Sequence, residues 1–108
     1  MSTKPLGSET QVDDIVIFSS EFRGYTVQAR SDRFLVCTKP YRRSVIYSII
    51  DLEQRIRSTD NKLFTNGYET RELCEQRLAE LEAGSLELSR RNACPLDVVR
   101  VDRPGDPQ

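Results

Sequence analysis

A chain of 108 residues with 37% hydrophobic and 31% charged side chains has room for one small domain with one core. Its net charge of −1 gives no whole-molecule attraction to nucleic acid or a membrane surface, and no apolar run approaches the ~18 residues of a membrane span. It carries no histidine, which removes the commonest general base, the commonest metal ligand and the usual partner of a nucleophilic Ser or Cys.

Residues 1–11 (MSTKPLGSETQ) offer one large apolar side chain besides Met1 and are expected to form a disordered tail. They hold no apolar signal segment, so secretion by that route is not expected. A single α+β domain is expected over residues 12–102, followed by a second disordered tail over residues 103–108 (RPGDPQ).

The first strand is predicted over residues 12–18, where Ile15, Val16, Ile17 and Phe18 are β-prone. Residues 19–24 (SSEFRG) break it with a turn. Residues 25–30 then alternate, with Tyr25, Val27 and Ala29 facing a core and Thr26, Gln28 and Arg30 facing water. A third strand over residues 34–37 ends before Pro40. Residues 45–52 are the longest β-prone run, apolar on both faces near the middle, which marks a central strand. The pattern breaks over residues 53–62, and residues 57–61 (RSTDN) have loop chemistry. Residues 62–65 (KLFT) suggest a short edge strand before the Asn66-Gly67 turn signal.

The spacing then predicts the main helix over residues 70–83. Thr70 is a good N-cap, Glu72 suits the positive helix end and Gly84 is the natural stop. At 100° per residue Leu73, Cys74, Leu78 and Leu81 share one stripe, with the stem of Arg77 packed among them. A helix of ~14 residues is marginal alone in water, so this stripe must dock on the sheet. Residues 85–92 fit either a strand, through the alternating Leu86 and Leu88, or a short second helix capped by Ser85 and stopped by Pro95, with the helix preferred. Residues 96–101 (LDVVRV) read as a last strand at the sheet edge. The expected fold is α+β, an antiparallel sheet of four or five strands with one main helix on one face.

The three cysteines, Cys37, Cys74 and Cys94, are widely spaced with no C-x-x-C, which argues against disulfides and a zinc site. Cys37 and Cys74 read as core residues. No phosphate-binding, dinucleotide-binding, nucleophile-elbow or calcium-loop motif is present. The carboxylate pairs Asp13-Asp14 and Asp51-x-Glu53 lack a third oxygen ligand at matching spacing. No catalytic residue, metal or cofactor is therefore expected.

The charges are unevenly spread. Residues 21–43 hold Arg23, Arg30, Arg33, Lys39, Arg42 and Arg43 against Glu21 and Asp32. Residues 69–82 hold Glu69, Glu72, Glu75, Glu80 and Glu82 against Arg71 and Arg77. Such a bipolar surface can steer a charged partner. The candidate contact residues are Glu72, Glu75, Glu80 and Glu82 on the outer helix face, and Arg23, Arg30, Arg33, Arg42 and Arg43 on the strands. A protein partner is expected first. Nucleic acid, held by the arginines with Phe22, Tyr25 and Tyr41 nearby, is the second candidate. A structural or assembly protein, dimerising through an edge strand, is the third. No membrane partner is expected.

Two stretches, VIYSIIDLEQRIRSTDN (residues 45–61) and GYETRELCEQRLAELEAGSLELSRRN (residues 67–92), together resemble small accessory proteins of tailed phages and bacterial mobile elements. The resemblance carries no functional residue across. It implies a bacterial cytoplasm and a protein that acts by binding host or phage machinery, inhibitors of host defence systems included.

Overall fold

Among the described residues, eight strands form one antiparallel sheet and one helix lies against one of its faces. The computed structural model describes residues 3–4, 6–7, 9–18, 24–58, 67–88, 93–96 and 98–103. The strands are β1 (Thr3–Lys4), β2 (Ile15–Phe18), β3 (Tyr25–Arg30), β4 (Phe34–Tyr41), β5 (Ser44–Asp51), β6 (Ile56–Ser58), β7 (Ala93–Pro95) and β8 (Val98–Asp102). Their order across the sheet is β1-β8-β2-β3-β4-β5-β6-β7. The helix α1 spans Arg71–Ala83.

The long β4–β5 hairpin is the backbone of this sheet. Its register runs from Phe34 opposite Asp51 to Tyr41 opposite Ser44. Because side chains alternate, one set of residues faces each side. Leu35, Cys37, Ile46 and Ile50 join Val16, Phe18, Tyr25, Val27, Val101 and Leu6 in an inner core. The sheet curls around this core. The Arg57 guanidinium of β6 lies 4.9 Å from the Phe18 ring of β2, although three strands separate them in the sheet order. On the opposite face Phe34, Ile49 and Tyr68 pack with Cys74, Leu81 and Leu88, flanked by Val36, Tyr47, Leu73 and Leu78. The central strands are thus covered twice, as the two-faced apolar run at residues 45–52 predicts.

Local chemistry ends α1 where the sequence says it should. The Thr70 hydroxyl accepts from the Leu73 N–H at 3.1 Å. Gly84 takes the left-handed conformation, φ 78°, and its N–H donates to the Leu81 carbonyl at 3.2 Å. Cys74 and Leu81 are buried, while Leu73 and Leu78 are half-buried. Leu78→Ala is therefore expected to cost about 1–2 kcal/mol, less than a fully buried leucine. Glu80→Ala should cost about 0.5 kcal/mol or less, since it loses only a surface pair with Arg77. Thermal melts showing the two variants equal would mean that α1 does not dock by this stripe.

Several expectations are corrected. The α+β class with one helix on an antiparallel sheet holds, but the sheet has eight paired segments rather than four or five. β6 arises inside the stretch expected to be a loop, because Ile56, Arg57 and Ser58 pair with Asp51, Ile50 and Ile49. The four-residue connection before it is tied by Asp51, whose Oδ1 accepts from the N–H groups of Glu53 and Gln54 at 2.9 and 3.1 Å. The last strand is not an edge. β8 lies between β1 and β2. Residues 85–88 are not helical, and Ala93–Pro95 is a strand paired with β6. The possible strand at 62–65 lies outside the described residues.

The expected N-terminal tail also differs. Thr3 and Lys4 pair with Asp102 and Val101, and Leu6 and Thr10 are buried. Leu6, the lone large side chain after Met1, is enough because the inner core lies open to it. At the other end Arg103 donates to the buried Asp14 carboxylate at 3.1 and 3.3 Å. Residues 104–108 lie outside the described set.

Candidate functional site

A single extra residue in β3 borders a hollow between the sheet and α1. The pairing of β3 with β4 slips between Val27, opposite Cys37, and Ala29, opposite Val36. Such a bulge re-aims the side chains that follow it. Strict alternation predicts Ala29 on the same face as Tyr25 and Val27. Instead Ala29 is exposed beside Val36, on the face that α1 covers.

Gln28 and Ala29 of β3, Val36 and Thr38 of β4, and Val45 and Tyr47 of β5 form the floor of a groove of about 450 Å³. Arg71, Cys74, Glu75 and Leu78 of α1 form its wall. Gln28 Nε2 donates to Thr38 Oγ1 at 3.0 Å, which fixes the polar side of the floor. Arg71 and Glu75 close the rim as an exposed pair at 3.0 Å. The volume lies within the range of pockets that take a drug-sized ligand or a large side chain. Val45 is 38% exposed, a large apolar side chain left facing water on the hairpin arm.

Val45 is also a wall of a second hollow of about 290 Å³, shared with Arg42, Arg43, Ser44, Ile46 and Glu69. Arg42 and Arg43 are the two-residue turn between β4 and β5. Arg42 has φ 57°, at the loop position where a two-residue hairpin favours glycine.

The expected contact residues separate. Arg33 is committed to structure: its Nε and Nη2 donate to Asp51 at 3.0 and 2.8 Å, and it lies 5.1 Å from the Phe34 ring centre. The hydrogen bond from Asp51 raises its pKa, although burial opposes this. Arg30 donates to the carbonyl of Thr10, and to that of Ser31 at 3.3 Å. Arg42 and Arg43 are exposed together at the hairpin turn. Arg23 lies outside the described residues. Glu75 is on the groove rim with Arg71, and Glu80 is half-covered and held by Arg77 at 2.6 Å. Glu72 and Glu82 are exposed, away from the groove lining.

The described thiols, Cys37 and Cys74, are not activated as nucleophiles. Burial, with the nearby Cys74 thiol adding to it, pushes Cys37 up to about 12. Burial, with Glu75 adding to it, pushes Cys74 up to about 12 as well. Among the described residues no group of three or more His, Cys, Asp or Glu side chains is placed to hold a metal. No described helix is long and apolar enough to cross a membrane. The groove was missed in the sequence because it joins residues 28–29, 36–38, 45–47 and 71–78. The one signal for it was the apolar Val45 and Tyr47, which extend β5 along the face that α1 covers. Comparison with protein-family models, curated proteins and solved structures finds no match, so the functional assignment rests on this geometry.

Proposed function

We propose that this chain is a non-enzymatic protein-binding accessory module, of the kind its resemblance to phage and mobile-element proteins implies, and that the groove beside α1 is its contact surface. The observation that carries this is the bulge in β3, which brings Ala29 onto the groove side beside Gln28 and leaves apolar floor uncovered next to α1. The floor is built on strands paired on both sides and the wall on a capped helix, so little ordering cost is left for binding. The outer glutamates of α1 are the weaker surface, because Glu75 and Glu80 already have arginine partners.

The test is capture of a partner from a bacterial lysate, its identification, and a titration with the purified partner. Val45→Glu puts a charge into the apolar groove without removing core packing, because Val45 is exposed. It is expected to weaken binding by roughly tenfold or more, with circular dichroism unchanged. Glu82→Lys is expected to leave affinity within about twofold, being clear of the groove. The opposite result, affinity lost in Glu82→Lys and kept in Val45→Glu, would move the contact surface to the outer helix face.

A further inference from the structure

Around the groove, charge is segregated. Arg42 and Arg43 stand at one end, beside Val45. Among the described residues Arg43 makes no hydrogen bond or ion pair. Glu69 is the only acidic residue lining that end. Along the rest of the groove the one acid, Glu75, is matched by Arg71, so the apolar floor carries no net charge.

The turn itself adds a second observation. A non-glycine residue at positive φ costs backbone energy, and such strain is kept mainly where the side chain has work to do. Arg42 takes φ 57° at the tip of a hairpin where glycine would fit without strain. The strain places a guanidinium beside a second one, next to an exposed valine.

Resting on the groove reading, we infer that the partner is an extended protein segment in which an acidic residue stands a few positions from a large apolar side chain. The carboxylate sits against Arg43, beside Arg42, where it can accept from two N–H groups of the guanidinium fork. The apolar side chain lies over Val45, Val36 and Leu78. A nucleic-acid strand fits less well. It carries a charge at every nucleotide and needs cations along its whole path, whereas here Arg42 and Arg43 stand at one end and the other lining cation, Arg71, is paired with Glu75.

The probes are acetylated octapeptides carrying one Phe two residues after an Asp-Glu pair, the same peptides with Lys-Lys instead, and a single-stranded oligothymidylate. Each is titrated into the ¹⁵N-labelled full chain. The Asp-Glu peptides are expected to shift the amides of Val36, Val45, Tyr47 and Leu78 and to bind about tenfold tighter than the Lys-Lys peptides at low salt. The preference should shrink as salt rises past about 0.15 M. The double variant Arg42→Gly, Arg43→Ser removes both charges and relieves the turn, so it keeps the fold. It should lose the preference. Equal affinity for both peptides, or tighter binding of the oligothymidylate at the same amides, overturns the inference. So does silence of the groove amides towards all peptides. If Val45→Glu still loses the lysate partner in that case, the groove remains the contact surface and only the partner chemistry is wrong.

Discussion

Gly67→Ala is expected to destabilise the fold by about 2–4 kcal/mol, one of the largest single-residue effects in the chain. Two costs combine. Gly67 has φ 137°, a backbone region that side chains rarely adopt. A methyl group there would also stand 2.1 Å from the Tyr47 carbonyl oxygen, which is backbone and cannot swing away. That close approach has a purpose. Immediately after it, Tyr68 and Tyr47 exchange backbone hydrogen bonds of 2.8 and 2.6 Å, and the Tyr68 ring is buried under α1. The segment leading into the helix is thereby stitched to β5. Gly84→Ala is the control. It shares a positive φ, 78°, but an added methyl meets nothing within 4 Å. It should cost about 1 kcal/mol. Denaturant midpoints with matched slopes measure both. Equal losses would show that the Gly67 approach to β5 is not tight in solution.

Asp51 is expected to be the second sensitive position. It is fully buried, and four hydrogen bonds satisfy its carboxylate. Oδ1 accepts from Arg33 Nε and from the N–H groups of Glu53 and Gln54, and Oδ2 from Arg33 Nη2. Asp51→Ala leaves two backbone donors without this acceptor and should cost about 2–4 kcal/mol. Asp51→Asn keeps the shape and one acceptor and should cost less. The pH dependence separates charge from shape. Burial pushes the Asp51 pKa up, but the Arg33 guanidinium and the two amides outweigh it and hold the pKa below the usual carboxylate value. The ionised form is therefore favoured by folding. Its contribution is fully present above the ordinary carboxylate pKa near 4 and is lost as pH falls through the lower folded value. The stability gap between the native protein and Asp51→Asn should thus be constant from about pH 5 to 7 and close below about pH 4. A gap that persists undiminished at low pH would mean the charge contributes nothing.

What was legible in the sequence was mostly local. Thr70 and Gly84 fix the ends of α1 through atoms three or four residues away, so the helix could be placed nearly to the residue. The Phe34–Tyr41 and Ser44–Asp51 strands carry their own β propensity, although β4 runs past the predicted stop at residue 37. It does so because Pro40 sits opposite Val45 near the hairpin tip, where a missing N–H is tolerated. What was not legible depends on distant partners. Ile56–Ser58 has no strand signature and exists because Ile49–Asp51 offers it a ladder. Leu6 looks like one apolar residue in a polar tail until the curl of the sheet opens a place for it. The candidate site suffered in the same way. Arg33 and Arg43 are indistinguishable as letters, and only the register that brings Asp51 opposite Phe34 decides that one is structural and the other faces solvent.

The position of β8 has a consequence for how the chain matures. Of the described strands, the latest in the sequence is inserted between the two earliest: Val101 pairs with Lys4 on one side and with Val16 on the other. While the chain is still being synthesised, β2 has only β3 beside it and its other edge is bare. The inner core, which needs Val101, stays incomplete until about residue 102 has cleared the ribosome tunnel. α1 and the β4–β5 hairpin can form earlier from nearby contacts, but closure waits for a pairing spanning nearly the whole chain, a slow and topologically distant step. A nascent or prematurely terminated chain would display β2 as an open template for another strand, and that interval is where a chaperone would engage this protein.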